Sequence, residues 1–386
     1  DRRIIYCLVA VFLAVPILFK WKMNPGVMST ARKGYDAIEE LEPEAGRIVL
    51  KTRDLLAVLF NVKDPARIVF TKNATEALNT ALYGVLKAGD HAVTTSMEHN
   101  SVMRPLNDLA RLGLDLSVAE ADRTGEVTVD MIRKCIKDKT RLVAVTHASN
   151  VTGAINEIEK IGLLCKQNNI LFLVDAAQTA GVVGLDVERM SIDLLAFSGH
   201  KGLLGPQGTG GLFIRDEKLL KPLTRGGTGS LSYSEEQPEF LPDCYESGTL
   251  NVIGLAGLGE GIRFILDRGI DRIMAHERRL LEIFLNETDG DGRFVLYGAR
   301  NALKQTGVLS LNIRGFAASK VGEVLDRKYG IMTRIGLHCA PRAHKTLGTF
   351  PDGTVRFSWG FFTGEKDILK AVRFLKEIAE NMKHQS

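Results

Sequence analysis

Six short apolar runs between residues 67 and 199 alternate with helical stretches, and that alternation limits the chain more than any other feature. The runs are RIVF (67–70), DHAVTTS (90–96), LDLSVAEA (114–121), TRLVAVTHAS (140–149), NILFLVDAA (169–177) and IDLLAFSG (192–199). Helical stretches such as 101–112, 129–137 and 158–168 separate them. Strands that are apolar throughout and alternate with helices belong in a mostly parallel sheet covered on both faces. The fold class is therefore α/β. Polar residues and glycines gather just after these runs. Ligand sites in such sheets lie at the carboxyl ends of the strands.

The pattern changes near residue 250. A helical stretch over 252–288 precedes strand-like RFVLYG, GVLSLNI, GIMTRIG and TVRFSWG, and helix closes the chain at 365–382. This reads as a smaller α+β unit. The expected division is an apolar segment at 1–21, a large domain at 22–255 and a small C-terminal domain at 256–386. No internal repeat or low-complexity linker interrupts it.

Charge and cysteine usage exclude several classes. The net charge of +4 is spread along 386 residues with no block of like charge, so no nucleic-acid tail is expected. Five widely spaced cysteines form no CxxC pair or metal-ligand spacing. That suits free thiols in a reducing compartment, and no metal is expected. Residues 4–19, IIYCLVAVFLAVPILF, carry no charge but fall short of the roughly 20 residues needed to span a bilayer. A membrane anchor or uncleaved signal, a buried element of the small domain, and an altered start all fit them. A cytoplasmic protein is the expectation, with membrane association through 4–19 the less favoured alternative.

Two strand tips carry the first chemistry. LFLVD ends in Asp175, and the next run leads into SGHK with Lys201, inside a turn with glycines at 202, 205, 208, 210 and 211. An acid and a lysine at adjacent strand ends match what pyridoxal phosphate needs: an amine for a Schiff base and a carboxylate for the pyridine nitrogen. FTKNATEALN places Thr71, Asn73 and Thr75 where a helix starts, and a helix N-terminus attracts an anion such as phosphate. Thr75 reads equally as an ordinary N-cap. Ser198 and His200 flank the lysine as further donors. His99, Asn150 and Gln178 follow other strands at the same edge.

Together, FTKNATEALN, TSMEHNSV, HASNVTG, VDAAQTAG, FSGHKGLLGPQGTGGL and YESGTLN resemble, in order, the motifs of the class V aminotransferase group of fold-type I pyridoxal phosphate enzymes, and within it the cysteine desulfurases. RIGLHCAPRAHKTLGTFPDGTVRFSWG is similar to a block of the group II, selenocysteine-lyase-like branch. The resemblance covers about 44–386 and implies a large domain built on a mostly parallel sheet of the seven-stranded type. It implies pyridoxal phosphate as cofactor, held by Lys201, paired with Asp175 and Gln178, stacked by His99, and bound at its phosphate by Thr75, Ser198 and His200. Thr249 would reach the phosphate of a partner subunit, so a homodimer is implied. Asn150 and Arg356, with Arg334, would hold the substrate carboxylate. Ala74 stands where many relatives carry a hydroxyl.

Cys339 follows Arg334 and His338, whose charges would favour the thiolate, the reactive form. The resemblance makes it the group that takes sulfur from L-cysteine as a persulfide, releasing L-alanine, with His99 and Lys201 the other catalytic groups. L-selenocysteine could enter the same path, and a sulfur-acceptor protein would relieve Cys339. Cys135 and Cys165 read as small buried hydrophobes. The chain departs from the family near its start: a Tyr-Leu-Asp-Asn-Ala-Ala-Thr strand and loop, then a Gly-Asn-Pro-Gly-x-x-x-His segment, are the usual pattern and are absent. That keeps two other readings open: a selenocysteine lyase, β-lyase or aminotransferase of the same group, or a cofactor-binding or interaction protein of weak catalysis.

Overall fold

A computed structural model of the chain describes residues 44–381. The apolar run 4–19 lies outside the described residues. Contacts divide the chain into Asp1–Lys51 and Thr52–Ser386. Of the first unit, 44–51 are helical; the second also opens helically, over 52–60. Among the described residues no helix is long and apolar enough to cross a membrane.

The alternation of runs becomes a seven-stranded sheet within Thr52–Ser386. Its strands are β1 (Ile68–Thr71), β2 (His91–Thr95), β3 (Asp115–Ala119), β4 (Thr140–Thr146), β5 (Leu171–Asp175), β6 (Leu194–Ser198) and β7 (Gly210–Ile214). Their spatial order is β1-β7-β6-β5-β4-β2-β3. Strands β3, β2, β4, β5 and β6 run parallel, while β7 is antiparallel to both β6 and β1. The fold is the expected α/β type, with one strand the sequence hides. GGLFI reads as the end of a glycine-rich loop, yet it forms β7 between two partners. Backbone pairing on both sides outweighs the low strand preference of its two glycines.

The helices α1 (Ala74–Val85) and α2 (Asn100–Arg111) follow β1 and β2. Leu78, Leu82, Leu106, Leu142, Leu173 and Leu194, all fully buried, belong to one core between helices and sheet. The sheet's centre is apolar on both faces: β6 is buried at every residue. Such strands cannot turn a polar side chain sideways without burying it, so polar chemistry is confined to their ends.

Beyond residue 250 the single helical stretch expected over 252–288 is two helices, α3 (Val252–Arg268) and α4 (Ile270–Thr288). They break at Gly269, whose φ of +83° is open to glycine at little cost. Four strands, β8 (Phe294–Tyr297), β9 (Val308–Ile313), β10 (Arg334–Gly336) and β11 (Thr354–Ser358), form an antiparallel sheet ordered β10-β11-β9-β8. Its core gathers Phe284, Leu309, Leu311, Val355 and Leu375.

One buried ion pair ties distant segments together. Arg53 donates to both carboxylate oxygens of Glu246, each at 2.9 Å, and Glu246 Oε1 also accepts from Phe70 N–H at 2.6 Å. The pair is almost wholly shielded from solvent. A bidentate pair with a further backbone donor fixes geometry more than it adds stability. Here it fixes the YESGT loop against β1.

Candidate active site

The strand ends bring Asp175 and Lys201 to one edge. Asp175 closes β5, level with Thr146 of β4 and Ala196 of β6. It is buried, and Oδ1 accepts from Ala177 N–H at 2.9 Å. Burial pushes its carboxyl up, opposed by that N–H, Lys201 and His99. A second donor or cation is what such a carboxylate needs to stay ionised.

Lys201 stands in a turn that the glycines close. Gly199 N–H donates to Thr209 O at 2.8 Å, and Gly205 N–H donates back to Gly199 O at 2.8 Å. A Cβ on Gly199 would lie 2.1 Å from Thr209 Oγ1, so the loop closes only without a side chain there. The constrained backbone fixes where a flexible side chain begins. Lys201 opens into a cleft of about 570 Å³. Surrounding protein lowers its amine below the ordinary lysine range; Asp175 opposes this and Arg356 adds to it.

His99 caps α2, and its ring state follows from one neighbour. Nδ1 accepts from Ser101 N–H at 3.1 Å and meets Ser101 Oγ at 2.7 Å. An acceptor Nδ1 leaves the ring proton on Nε2. Burial, with Lys201, Arg104 and Arg356, pushes this histidine below its usual range despite Asp175. The ring is neutral at pH 7.

Beneath it lies Glu98, fully buried, which the sequence reading passed over. Its Oε1 accepts from Thr95 Oγ1 at 2.6 Å and from Thr146 N–H at 3.0 Å, joining the ends of β2 and β4. Oε2 is buried without a partner among the described residues. Burial, more than those two donors can offset, pushes the carboxyl up to about 8, so it is protonated at pH 7. The folded protein then holds a proton that the unfolded chain releases above its ordinary carboxylate range. Stability is expected to fall as pH rises from about 4.5 to about 8 on this account. Replacing Glu98 by glutamine should flatten that limb in melting curves taken across the range. An unchanged slope would count against a protonated Glu98.

The helix cap differs from expectation. Asn73, not Thr75, caps α1, accepting from Glu76 N–H at 3.0 Å. Thr75 is exposed at the second helical position, where its own N–H has no acceptor among the described residues. Ala74 is buried, and its N–H donates to Ser198 Oγ at 3.2 Å. The missing hydroxyl at 74 leaves that backbone contact intact, and Ser198 keeps its own O–H to donate. His200 and Gln178 line the cleft. Thr249 is exposed and does not.

The opposite wall comes from the smaller sheet. Arg334 and Arg356 face each other directly across β10 and β11. Neither has a carboxylate partner among the described residues. Arg356 donates to Asn150 O at 2.8 Å, while its Nε is buried and unpartnered. Two like charges opposite each other cost free energy unless an anion sits between them. Asn150 Nδ2 in turn donates to His338 O at 2.7 Å, which ties the Cys339 loop to the large sheet.

His338 and Cys339 both adopt left-handed backbone, with φ of +48° and +57°. Consecutive non-glycine residues there are strained and persist only when the surroundings hold them. Three contacts do so: Asn150 Nδ2 on His338 O, Asn100 N–H on Cys339 O at 2.8 Å, and His338 Nε2 with Thr354 Oγ1 at 3.0 Å. Nearby, a Cβ on Gly353 would lie 2.2 Å from Gly336 O, so β10 and β11 approach this closely only at a glycine. Cys339 is exposed, whereas burial pushes the Cys165 thiol up to about 12 and raises those of Cys135 and Cys244. His338 is not the cation expected from its place in the sequence. Burial, reinforced by Arg356, His344 and Arg334, pushes it down to about 3, so it is neutral.

Glu277, on α4, also went unread. It lines the cleft wall, accepting from Gly307 N–H at 3.3 Å, and burial pushes it up to about 7.

The profile of the family described as Aminotransferase class-V matches residues 27–370. A probable cysteine desulfurase of Pyrococcus abyssi is 38% identical over 329 residues, 82% of this chain and 80% of the relative. Another, of Methanothermobacter thermautotrophicus, is 36% identical over 87% of this chain and 84% of its own. The apo structure of a cysteine desulfurase from Thermococcus onnurineus superposes with a TM-score of 0.83 at 36% identity, covering 88% of this chain and 86% of that one.

Proposed function

The chain belongs to the class-V aminotransferase family, and we propose that it is a pyridoxal phosphate-dependent cysteine desulfurase that converts L-cysteine to L-alanine and leaves the sulfur as a persulfide on Cys339. The observation that carries this reading is the pairing, across one cleft, of an amine at a strand tip with an exposed thiol on a strained loop. The division of labour follows the proposed domains, with cofactor residues in 22–255 and Cys339 in 256–386.

The residues present fit the cofactor. Asp175 is a buried carboxylate short of donors, as a pyridinium nitrogen requires. The free N–H of Thr75, the hydroxyl of Ser198 and the side chain of His200 would take the phosphate. Gln178 would meet the ring oxygen, and the neutral face of His99 would stack. Lys201 would hold the cofactor covalently. When bound, pyridoxal phosphate supplies an electron-withdrawing ring that eases loss of the α-proton of an amino acid. Thr249, exposed outside the cleft, would meet the phosphate of a second copy, so a homodimer is part of the proposal.

Arg356, with Asn150 and Arg334, orients the substrate carboxylate; the buried, unpartnered Nε supports this. Lys201 Nζ, lowered toward its neutral form, takes the α-proton. The Cys339 thiolate attacks the substrate sulfur. An S–S bond forms, the carbon–sulfur bond breaks with its electron pair on the β-carbon, and two protons complete L-alanine: one reaches the β-carbon from the Lys201 and His99 side, and the one held on Lys201 returns to the α-carbon.

Product analysis with L-cysteine tests the reading. One equivalent of alanine for each sulfane sulfur is the expected result. Pyruvate with ammonia, or a keto acid with an aminated cofactor, would place the chain with the β-lyases or aminotransferases instead.

A further inference from the structure

Cys339 belongs to two hollows at once. It lines the inner cleft with Lys201 and Arg356, and also an outer hollow of about 670 Å³ with Asn100, Arg104 and Arg111; the hollow's Thr75 and His99 end is the one proposed for the cofactor, so its open end is that of Arg104. A third hollow, of about 510 Å³, shares Asn100, Arg104 and Asn107 with the second and extends to Arg342 and Lys345. The bond from Asn100 N–H to Cys339 O fixes the cysteine loop on the first turn of α2. Arg104 lies four residues on, on the same helix face as Asn100.

The charge of this outer groove is unbalanced. Arg111 is 3.6 Å from Asp108, and Arg342 is 3.6 Å from Glu120. Arg104 is exposed and has no acidic partner among the described residues. Lys345 has none either, and lies over the Phe350 ring at 5.1 Å. Among the described residues, Arg104 thus stands without an acidic partner in the hollow that Cys339 lines, and Lys345 in the hollow that continues it.

We propose that sulfur enters Cys339 from the inner cleft and leaves through this outer groove, to an acceptor thiol that carries negative charge. The inference rests on the persulfide reading above. The acceptor thiolate attacks the terminal sulfur of the Cys339 persulfide. A new S–S bond forms on the acceptor, the bond to Cys339 Sγ breaks, and its electron pair leaves with the Cys339 thiolate. Sulfane sulfur passes from one thiol to another with no net oxidation. Arg104 and Lys345 act by attracting the acceptor, and that attraction weakens with salt.

The holoenzyme, loaded by one turnover of L-cysteine, is discharged with mercaptosuccinate, 2-mercaptoethanol or cysteamine. Each rate is normalised to that thiol's rate with a small reference disulfide. At low ionic strength the dianionic thiol should lead the cationic one by about tenfold, and salt should erase the lead. Arg104→Gln should reduce the preference, and Arg104→Glu with Lys345→Glu should reverse it, with the single-turnover burst of alanine unchanged. Equal rates for all three thiols, or a preference indifferent to these substitutions while the burst persists, would overturn the inference alone. Absence of the burst in the unsubstituted enzyme would overturn the desulfurase reading and this inference with it.

Discussion

Lys201→Ala is expected to lower alanine formation from L-cysteine by about 10³-fold or more, the scale lost when a positioned proton-transfer group is removed. No other lysine lines the cleft among the described residues. The protein around Lys201 strips water from the ammonium, and Arg356 adds like charge, so a larger share of the amine is neutral near pH 7 than on a surface lysine. The sign follows. A lowered amine constant extends activity to lower pH than a free lysine would allow, so the acid limb of kcat should lie below the ordinary lysine range. The variant should also release its cofactor on dialysis, because the remaining contacts are all non-covalent. The check is a chromophore spectrum before and after dialysis beside an alanine assay. Residual activity within tenfold of the unsubstituted protein would remove Lys201 from the mechanism.

The meeting of Lys201 with Asp175 was legible in the sequence for a reason that does not extend to the whole site. Once a run of apolar strands commits to a parallel sheet, the end of each strand is a defined place, and the residues there must converge. Asp175, Lys201, His99, Asn150 and Gln178 are all set by that geometry. The glycine-rich turn was legible as constraint, but its far side, β7, was not. One of its two partners, β1, lies more than 130 residues away, and local preference says nothing of it. Protonation was equally hidden. His338 beside Cys339 reads as a cation and burial neutralises it, and burial also keeps Glu98, which nothing in the sequence marks, protonated. Ser101 escaped because its importance lies in one bond to His99 Nδ1, which fixes the tautomer. Thr249 is a different case. If its partner is another chain, one chain's fold cannot place it.

The second large effect is expected from Cys339→Ser. Alanine and sulfane sulfur should both fall by about 10³-fold, because a hydroxyl at this place is neither acidic nor nucleophilic enough to attack sulfur. Folding should be untouched. Cys339 is exposed, serine is close to it in size, and the left-handed conformation at 339 is imposed by Asn100 and by the anchoring of His338 on Asn150 and Thr354. Those contacts are made by backbone groups and by His338, none by the thiol. The variant should therefore melt at the same temperature and still take L-cysteine into the cleft, since Arg356 and Asn150 remain. Exchange of the substrate α-proton with solvent deuterium should continue in the variant if, as proposed, that step belongs to Lys201 on the other wall. Loss of alanine with exchange retained would separate the two halves of the site: an amine on a strand tip that moves the proton, and a thiol on a strained loop that takes the sulfur. Alanine formed undiminished in Cys339→Ser would mean that sulfur departs without touching the protein, and the strain at 338–339 would then need another cause.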